Sequence, residues 1–400
     1  MVSRDARVNL LIGTGHFLSH FYQLCLPPLF LVWQKKFEVS YAELGIAPVV
    51  MAIMAALMQT PYGFLVDRFG ARRFLIGNTL VMSLAIAFMA VASSYWQIVV
   101  LAGISGAANA VYHPADYSIL AASIRKERMG QAFAIHTFTG NAGFALAPPA
   151  VALLLLVLDW RGVLLVLGLL GVPVAGAILW QSKILQEQQR QEKKQGGLSV
   201  SGLLLDRSLF LFFLFFLLGS MAGSGIQAWL ITILHEVKGI ELALASTALT
   251  AYMVGTSAGV LAGGYVVDRW KRWIAFFVAG LTSLSAALVA FLGAVPMGAI
   301  AAIVIMLVSG AALGASRTPR DIMLKDAAPP GEIGKVFGYV SSALPLGGAL
   351  TPIPFGYLID HGHAEWVLFL AAGILLASIF CMGTARAAAK SGLGAAAAAE

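Results

Sequence analysis

Charged side chains are scarce in this chain: Asp, Glu, Lys and Arg make up 11% of its 400 residues. In soluble globular proteins about a quarter of the residues are charged. Hydrophobic residues make up 59% of the chain, and the mean hydropathy is +0.85. This composition excludes an ordinary soluble globular protein and predicts a membrane protein.

Several chemical signatures are also missing. Only two cysteines occur, Cys25 and Cys381, and both lie in apolar runs without metal-ligand spacing, so no disulfide framework is implied. The sequence contains no Gly-x-x-x-x-Gly-Lys-Ser/Thr loop, which excludes ATP as the driving force. No residue pattern indicates a metal site or a catalytic nucleophile. We therefore expect no metal, no bound cofactor and no enzymatic activity.

The basic residues that are present follow a pattern. The net charge is +7, but Lys and Arg lie in short loops between apolar runs rather than on one face. This distribution excludes nucleic-acid binding and is typical of cytoplasmic loops of membrane proteins. All but four of the 26 basic residues lie on one side if both termini are cytoplasmic. The exceptions are Lys35, Lys36, Arg161 and Lys238.

Twelve apolar runs are long enough to cross a bilayer, which predicts an all-α membrane protein with both termini in the cytoplasm. The first run has Arg4 and Arg7 before it but lacks a small-residue cleavage site, so we interpret it as an uncleaved span. The runs are 8–33, 41–66, 74–93, 96–122, 130–157, 162–181, 208–234, 241–266, 274–294, 297–324, 333–358 and 366–385.

An internal repeat predicts two pseudo-symmetric six-helix bundles. The segment 128–148 recurs as 332–352 at a constant offset of 204 residues. The predicted organisation is an N-terminal bundle, a cytoplasmic linker, a C-terminal bundle and a disordered tail, which correspond to residues 1–181, 182–207, 208–386 and 387–400. Small residues such as Gly259 and Gly263 predict close helix packing.

The loop 63–73 reads Gly-Phe-Leu-Val-Asp-Arg-Phe-Gly-Ala-Arg-Arg, and a related loop begins at Gly264. The loop, the twelve spans and the linker together resemble the major facilitator superfamily. The resemblance covers nearly the whole chain. His113-Pro114, followed by Arg128-x-Gly-Gln, is similar to the fosmidomycin-resistance branch. The glycines and prolines of 140–149 resemble a motif of exporters. The resemblance implies that helices one, four, seven and ten line a transport path.

Charged and titratable residues in those helices are the candidate site residues, since charge at membrane depth is costly unless it is paired or faces water. For proton coupling we predict Asp116, with His113 and His20 close by. A static salt bridge from Asp116 to Arg317 or Arg320 is the alternative. His113 and His20 are equally consistent with histidines hydrogen-bonded within the bundle.

For the substrate, Arg317 is the candidate partner of an anionic group, since guanidinium binds carboxylate or phosphonate with two hydrogen bonds. A gate salt bridge is again the alternative. The remaining candidate substrate-binding residues are polar or aromatic and lie on the predicted helices one, four, five and seven. They are Tyr112, Gln23, Asn141, Gln227 and Trp229.

Gating is predicted at two places. In the repeated loops, Asp67 and Asp268 would each cap a helix N-terminus or meet a nearby arginine and so hold the outward-facing state. The other predicted gating residues are Arg68, Arg72, Arg269, Arg320, Asp321, His16 and His136. The spacing of Arg317, Asp321 and Lys325 also allows an ionic ladder. For His16 and His136 taken singly, a hydrogen bond within the bundle is the favoured alternative.

These residues predict a monomeric, proton-coupled secondary transporter of a bacterial inner membrane, which exports drug-like or anionic toxic compounds. Its partners would be protons, a small-molecule substrate and the lipid bilayer. Uptake or exchange of a small organic anion such as a carboxylate is the alternative. A non-transporting membrane receptor or scaffold is a second alternative.

Overall fold

In the computed structural model the described residues are 3–39, 41–187, 199–329 and 331–397. Helices make up nearly all of these residues, and no strand occurs within them. The predicted all-α fold is therefore confirmed. Residues 188–198, in the middle of the predicted linker, lie outside the described part of the chain.

Ten α-helices precede the linker. They are α1 (Arg4–Leu24), α2 (Phe30–Phe37), α3 (Tyr41–Leu44), α4 (Ile46–Phe69), α5 (Ala71–Phe88), α6 (Tyr95–Asn109), α7 (Tyr112–Ser123), α8 (Met129–Leu154), α9 (Trp160–Leu169) and α10 (Gly171–Trp180).

The other nine α-helices come later in the chain, and the first of them lies within the predicted linker. They are α11 (Val200–Leu205), α12 (Arg207–Thr232), α13 (Leu242–Arg269), α14 (Ile274–Ala294), α15 (Ala299–Ala327), α16 (Ile333–Ser341), α17 (Ala343–Leu350), α18 (Pro352–Asp360) and α19 (Ala364–Ala397). The last helix continues beyond residue 386, where the predicted tail begins, and residues 398–400 lie outside the described part.

Nine helical segments of the described residues are long and apolar enough to cross a membrane. They are Ile46–Phe69, Ala71–Val91, Tyr95–Ser123, Trp160–Trp180, Arg207–His235, Lys271–Ala294, Ala299–Ala327, Ile333–Ile359 and Ala364–Thr384.

The other three predicted spans coincide with α1, α8 and α13, which have 21, 26 and 28 residues. At a rise of 1.5 Å per residue, each of these helices is long enough to cross a bilayer core of about 30 Å. The total of twelve spans stays a prediction.

Three breaks within apolar runs lie at prolines. A proline ring clashes with the carbonyl of the residue four positions earlier and donates no hydrogen bond to it. Pro173 is four residues after the end of α9 at Leu169, and Pro345 is four residues after the end of α16. Pro114 stands four residues after Ala110, where α6 gives way to α7. Four other prolines lie inside unbroken helices, so a proline permits a break but does not impose one.

The helices pack into two compact units. The first contains α1–α10 and also residues 329–342 with α16, and the second contains α11–α15 and α17–α19. Within the first unit α16 packs on α4 and α7. The bundles predicted from sequence place this segment in the second half, because it is the repeat of 128–148. The predicted domain boundaries stay a prediction.

Glycines allow close helix packing inside each unit. In the first unit, a Cβ on Gly106 of α6 would overlap the backbone of Met51 on α4. In the second unit, a Cβ on Gly259 or Gly263 of α13 would overlap carbonyl oxygens of α15. The close packing predicted for these two glycines is confirmed. Without water to drive apolar association in lipid, such backbone approach is a main source of helix affinity.

Two of the four basic residues outside the predicted cytoplasmic side have a structural role. The Arg161 guanidinium donates to the carbonyl oxygens of Ala90 and Ala92, just after the end of α5. The Lys238 ammonium donates to the carbonyls of Gly293 and Val295, 3.0 Å away in both cases, at the end of α14. Each cation donates hydrogen bonds to carbonyls at a helix C-terminus, where the last carbonyls lack partners within the helix. Its positive charge also interacts favourably with the negative end of the helix dipole.

Candidate functional site: a buried carboxylate and four histidines

Asp116 lies on α7 and is 0% exposed. Its Oδ2 is 3.0 Å from Nε2 of His136 on α8, and its Oδ1 has no hydrogen-bond partner among the described residues. An isolated charge in such a position is very costly, so a proton on or beside the carboxylate stabilises it. The pair is therefore a place where one proton can be held between a carboxylate and an imidazole.

His136 also contacts His16 on α1. The two rings are stacked with centroids 3.6 Å apart, and Nδ1 of His16 is 2.7 Å from the backbone carbonyl oxygen of His136. A carbonyl can only accept, so Nδ1 of His16 carries a proton and donates it. In the neutral ring, Nε2 of His16 is then an acceptor. Both side chains are buried, at 2% and 1% exposure.

His20 and His113 complete the group. Nε2 of His20 is 3.1 Å from Nε2 of His16, one turn earlier on α1. The His113 ring, on α7, lies 5.4 Å from the His16 ring and 6.3 Å from the His20 ring between centroids. We call His16, His20, His113 and His136 the histidine cluster. The sequence predicts proton coupling for His20 and His113 and gating for His16 and His136. The structure brings the four rings together, and His136 joins them to Asp116.

Packing on α8 makes this arrangement possible. A Cβ on Gly140 would lie 2.7 Å from Cε1 of His16 and 3.1 Å from Nε2 of His20. A Cβ on Gly143 would overlap the backbone carbonyl of Phe17. The two glycines therefore let α1 approach α8 closely enough for imidazoles of the two helices to stack.

The loop after α4 forms a second site in the first unit. Oδ1 and Oδ2 of Asp67 accept hydrogen bonds from the backbone N–H groups of Gly334 and Lys335, at 2.9 and 2.8 Å. These amides are in the first turn of α16, where N–H groups have no partner within the helix. Asp67 thus caps a helix N-terminus, the first of the two geometries predicted for it. Its gating role stays a prediction.

Close backbone packing supports that cap. A Cβ on Gly63 of α4 would clash with the backbone of Gly334 and Lys335 on α16. Tyr117 of α7 stacks on Phe337 of α16 with ring centroids 4.0 Å apart. The first turns of α16 are therefore held on α4 and α7 by close backbone packing, hydrogen bonds to Asp67 and aromatic stacking together.

The amino-acid sequence of the chain matches the profile of one protein family along nearly the whole length of the chain. The profile of the Major Facilitator Superfamily matches residues 12–296 and again residues 239–398. The chain belongs to the Major Facilitator Superfamily. Members of this superfamily are membrane transporters and not enzymes. The chain is therefore a multi-pass membrane transporter of a small molecule, as predicted.

Relatives within the superfamily agree with the resemblance drawn from the histidine-proline motif. The fosmidomycin resistance protein of Escherichia coli K12 is 23% identical over 371 residues, covering 90% of this chain and 88% of that protein. A D-galactonate transporter of E. coli O6:H1 is 23% identical over 394 residues, which cover 86% of this chain and 87% of that protein. The crystal structure of the fucose:proton symporter FucP of E. coli has a TM-score of 0.74 at 14% identity. The match covers 94% of this chain and 98% of that protein. This last likeness shows the superfamily fold.

Arg72, also in the loop after α4, has a carboxylate partner. Its guanidinium is 2.8 Å from Oε2 of Glu187, and its backbone N–H donates to Oε1 of the same carboxylate at 2.8 Å. Gly70, with a positive φ of 92°, makes the turn before it. No sequence signal singles out Glu187 within the polar linker, so reasoning from sequence missed this ion pair.

Arg68, Asp268 and Arg269 are the other predicted gating residues of the two repeated loops. The Arg68 guanidinium lies 5.0 Å from the centroid of the Phe69 ring. Asp268 and Arg269 end α13 in the second unit. Their predicted gating roles stay predictions.

The predicted substrate-binding residues of the first unit are Tyr112, Gln23 and Asn141. The Tyr112 hydroxyl is buried and lies 2.8 Å from Oγ1 of Thr79. Nε2 of Gln23 donates to the Ser19 carbonyl at 3.1 Å. Asn141 is half-buried, and its Nδ2 has no hydrogen-bond partner within the described ranges. Their roles in substrate binding stay predictions.

The second unit holds the charged residues of α15. Nη2 of Arg320 is 2.9 Å from Oδ1 of Asp321, and Asp321 is 1% exposed. The Arg320 guanidinium also lies 3.9 Å from the centroid of the Phe216 ring. Nζ of Lys325 is 2.6 Å from Oδ1 of Asp326. The ladder through Arg317, which is half-buried, stays a prediction.

On α12, the other helix of the second unit with predicted site residues, Gln227 is exposed. A Cβ on Gly356 of α18 would lie 2.8 Å from Cζ2 of Trp229. Trp229 therefore packs closely on a glycine of the neighbouring helix. Its predicted contact with substrate stays a prediction, as does that of Gln227.

Proposed function

We propose that the protein is a proton-coupled secondary transporter of a bacterial inner membrane, which exports drug-like or anionic toxic compounds by alternating access. It would act as a monomer of twelve spans with both termini in the cytoplasm. The observation that carries proton coupling is the buried pair of Asp116 and His136, in which Oδ1 of Asp116 accepts no hydrogen bond from the described residues. No cofactor other than the proton gradient would be needed.

In this proposal Asp116 accepts the proton, with His20 and His113 close by. Protonation would change the hydrogen bond that joins α7 to α8. A proton or a substrate drives a transition only through different affinity for two conformations. The cap of α16 by Asp67 is the contact that we propose breaks as the transporter changes state.

Purified protein in proteoliposomes tests proton coupling, with fosmidomycin as the first compound because one relative is named for resistance to it. Transport driven by an imposed pH gradient is expected in the wild type and lost in Asp116→Asn. Counterflow at equal pH is expected to persist in that variant. Asp326→Asn, at a carboxylate whose side chain is 60% exposed, is the control and should retain driven transport. Full driven transport in Asp116→Asn would remove this carboxylate from the mechanism.

A susceptibility panel on a strain lacking the gene tests the direction of transport. Increased sensitivity to fosmidomycin or another antibiotic supports export. The relative that confers fosmidomycin resistance and the resemblance of residues 140–149 to an exporter motif are the reasons for preferring export.

Uptake or exchange of a small carboxylate is the second candidate. It is favoured by the half-buried Arg317 on α15 and by the relative named as a D-galactonate transporter. Unchanged antibiotic sensitivity together with lost growth on galactonate or another organic acid would establish it instead. A receptor or scaffold that binds without transport is distinguished by solute binding without any flux in the same proteoliposomes.

A further inference from the structure

The histidine cluster has the geometry of a metal site. One ring nitrogen from each of His16, His20 and His113 lies within 4.8 Å of the other two. We propose that these three residues bind one divalent transition-metal ion of the zinc, cobalt, nickel or copper class. The proposal does not depend on the transport function above, and it departs from the sequence-based expectation of no metal.

The hydrogen bond of His16 prepares it as a ligand. Its Nδ1 donates to the His136 carbonyl at 2.7 Å, which leaves the lone pair of Nε2 directed toward His20. Histidines that bind metals commonly donate the other ring N–H to a carbonyl or carboxylate, which sets the tautomer and the ring orientation. His16 therefore already has the tautomer and the supporting contact that metal binding requires.

The spacing of the ring nitrogens fits a shared ion. Nε2 of His16 and Nε2 of His20 are 3.1 Å apart. Two nitrogens bound to one zinc at about 2.0–2.1 Å in tetrahedral geometry would be roughly 3.3–3.4 Å apart. A shift of a few tenths of an ångström is enough for that pair. The nitrogen of His113 lies within 4.8 Å of both and would have to move closer by at most about 1.5 Å to reach the same separation.

The alternative is an ordinary hydrogen bond between His20 and His16. Two neutral imidazoles can satisfy one another in this way, because one Nε2 carries the proton that the other accepts. This alternative predicts no affinity for metal ions. It involves His16 and His20 alone, whereas a ring nitrogen of His113 also lies within 4.8 Å of both.

The surroundings of the cluster support the metal proposal. Gly140 provides the space for both α1 rings, and the stacked His136 ring fixes the plane of His16. His20 and His113 keep part of their surface exposed, so that an ion can reach them. Three neutral imidazoles favour zinc, cobalt, nickel or copper over magnesium and calcium, which prefer oxygen ligands. Three protein ligands also leave one coordination position for water or another oxygen donor.

The test uses the full chain, purified without a polyhistidine tag and stripped of metal with a chelator. Titration with Co²⁺ is followed by visible absorption, since the d–d bands of Co²⁺ report its coordination geometry. We expect saturation at one ion per chain with tetrahedral bands, and no competition from Mg²⁺. Absence of a saturable band in the wild type would overturn the proposal.

Ligand variants locate the ion. We expect His20→Ala and His113→Ala each to weaken Co²⁺ binding by more than the roughly 10- to 100-fold that loss of an outer contact costs. His361→Ala, at an exposed histidine of α18's C-terminus in the second unit, is the matched control and should bind as the wild type. Wild-type binding in both ligand variants, or an equal loss in the control, would refute the site.

Gly140→Ala is a second perturbation that keeps all three ligands. The added methyl would displace His16 and His20, so we expect weaker Co²⁺ binding in a variant whose size-exclusion profile is unchanged. This variant is decisive if either alanine ligand variant fails to fold. Unaltered Co²⁺ spectra and affinity in folded Gly140→Ala would contradict the assignment.

Discussion

Replacing Asp67 by asparagine is expected to loosen the start of α16 from the end of α4. In the wild type, both carboxylate oxygens accept backbone N–H groups of α16, at 2.9 and 2.8 Å. Asparagine keeps one acceptor and places an NH2 group opposite the second amide. The substitution therefore removes one charged hydrogen bond, makes the other neutral, and removes the interaction of the charge with the helix dipole.

The size of the effect follows from these contacts. A hydrogen bond to a charged group contributes about 1.5–3 kcal/mol and a neutral one about 0.5–1.5 kcal/mol. Asp67 is only half-buried, so water recovers part of the loss. We expect the local opening free energy to fall by about 2 kcal/mol, which corresponds to roughly a 30-fold larger opening equilibrium constant at 1.4 kcal/mol per tenfold.

Hydrogen–deuterium exchange of the amides of Gly334 and Lys335 measures this directly, because these are the groups that Asp67 binds. The matched control is Asp268→Asn, which changes the corresponding aspartate of the second repeat and should leave exchange at α16 unaltered. Gly334→Ala is an independent perturbation, since its Cβ would overlap Asp67 Oδ1. Unchanged exchange at both amides in Asp67→Asn would refute the cap as a stabilising contact.

Two further predictions concern stability and can be measured by thermal unfolding of the purified protein in detergent. Gly106→Ala should lower the midpoint, because its Cβ would overlap the α4 backbone and overpacking costs about 1–3 kcal/mol. Gly77→Ala, where a Cβ meets nothing within 4 Å, is its control, and equal midpoints would disprove the packing argument. Arg320→Ala should lower the midpoint more than Lys325→Ala. The first removes an ion-pair partner of the buried Asp321, at a cost on the order of 3 kcal/mol, and the second removes a pair whose carboxylate is exposed. The reverse order would show that the buried pair adds no stability.

The sequence by itself determined the class of the protein. Apolar runs predict helices in a membrane because a helix satisfies its backbone hydrogen bonds internally, whatever its neighbours are. The repeat and the loop around Asp67 indicated the superfamily, which the family comparison confirmed. Spacing of three or four residues also placed His16 with His20, and His113 with Asp116, on common helix faces.

The pairing of residues between helices was decided only by the tertiary structure. Asp116 pairs with His136 of α8, and Asp67 caps a helix that begins 266 residues later in the chain. Glu187 binds Arg72 from a linker without any distinctive pattern. Periodicity along one helix reports which residues share a face, but it does not report which helix packs on that face or how close two backbones come. Glycines such as Gly140 set that approach, and their effect depends on the partner helix, which the local sequence does not contain.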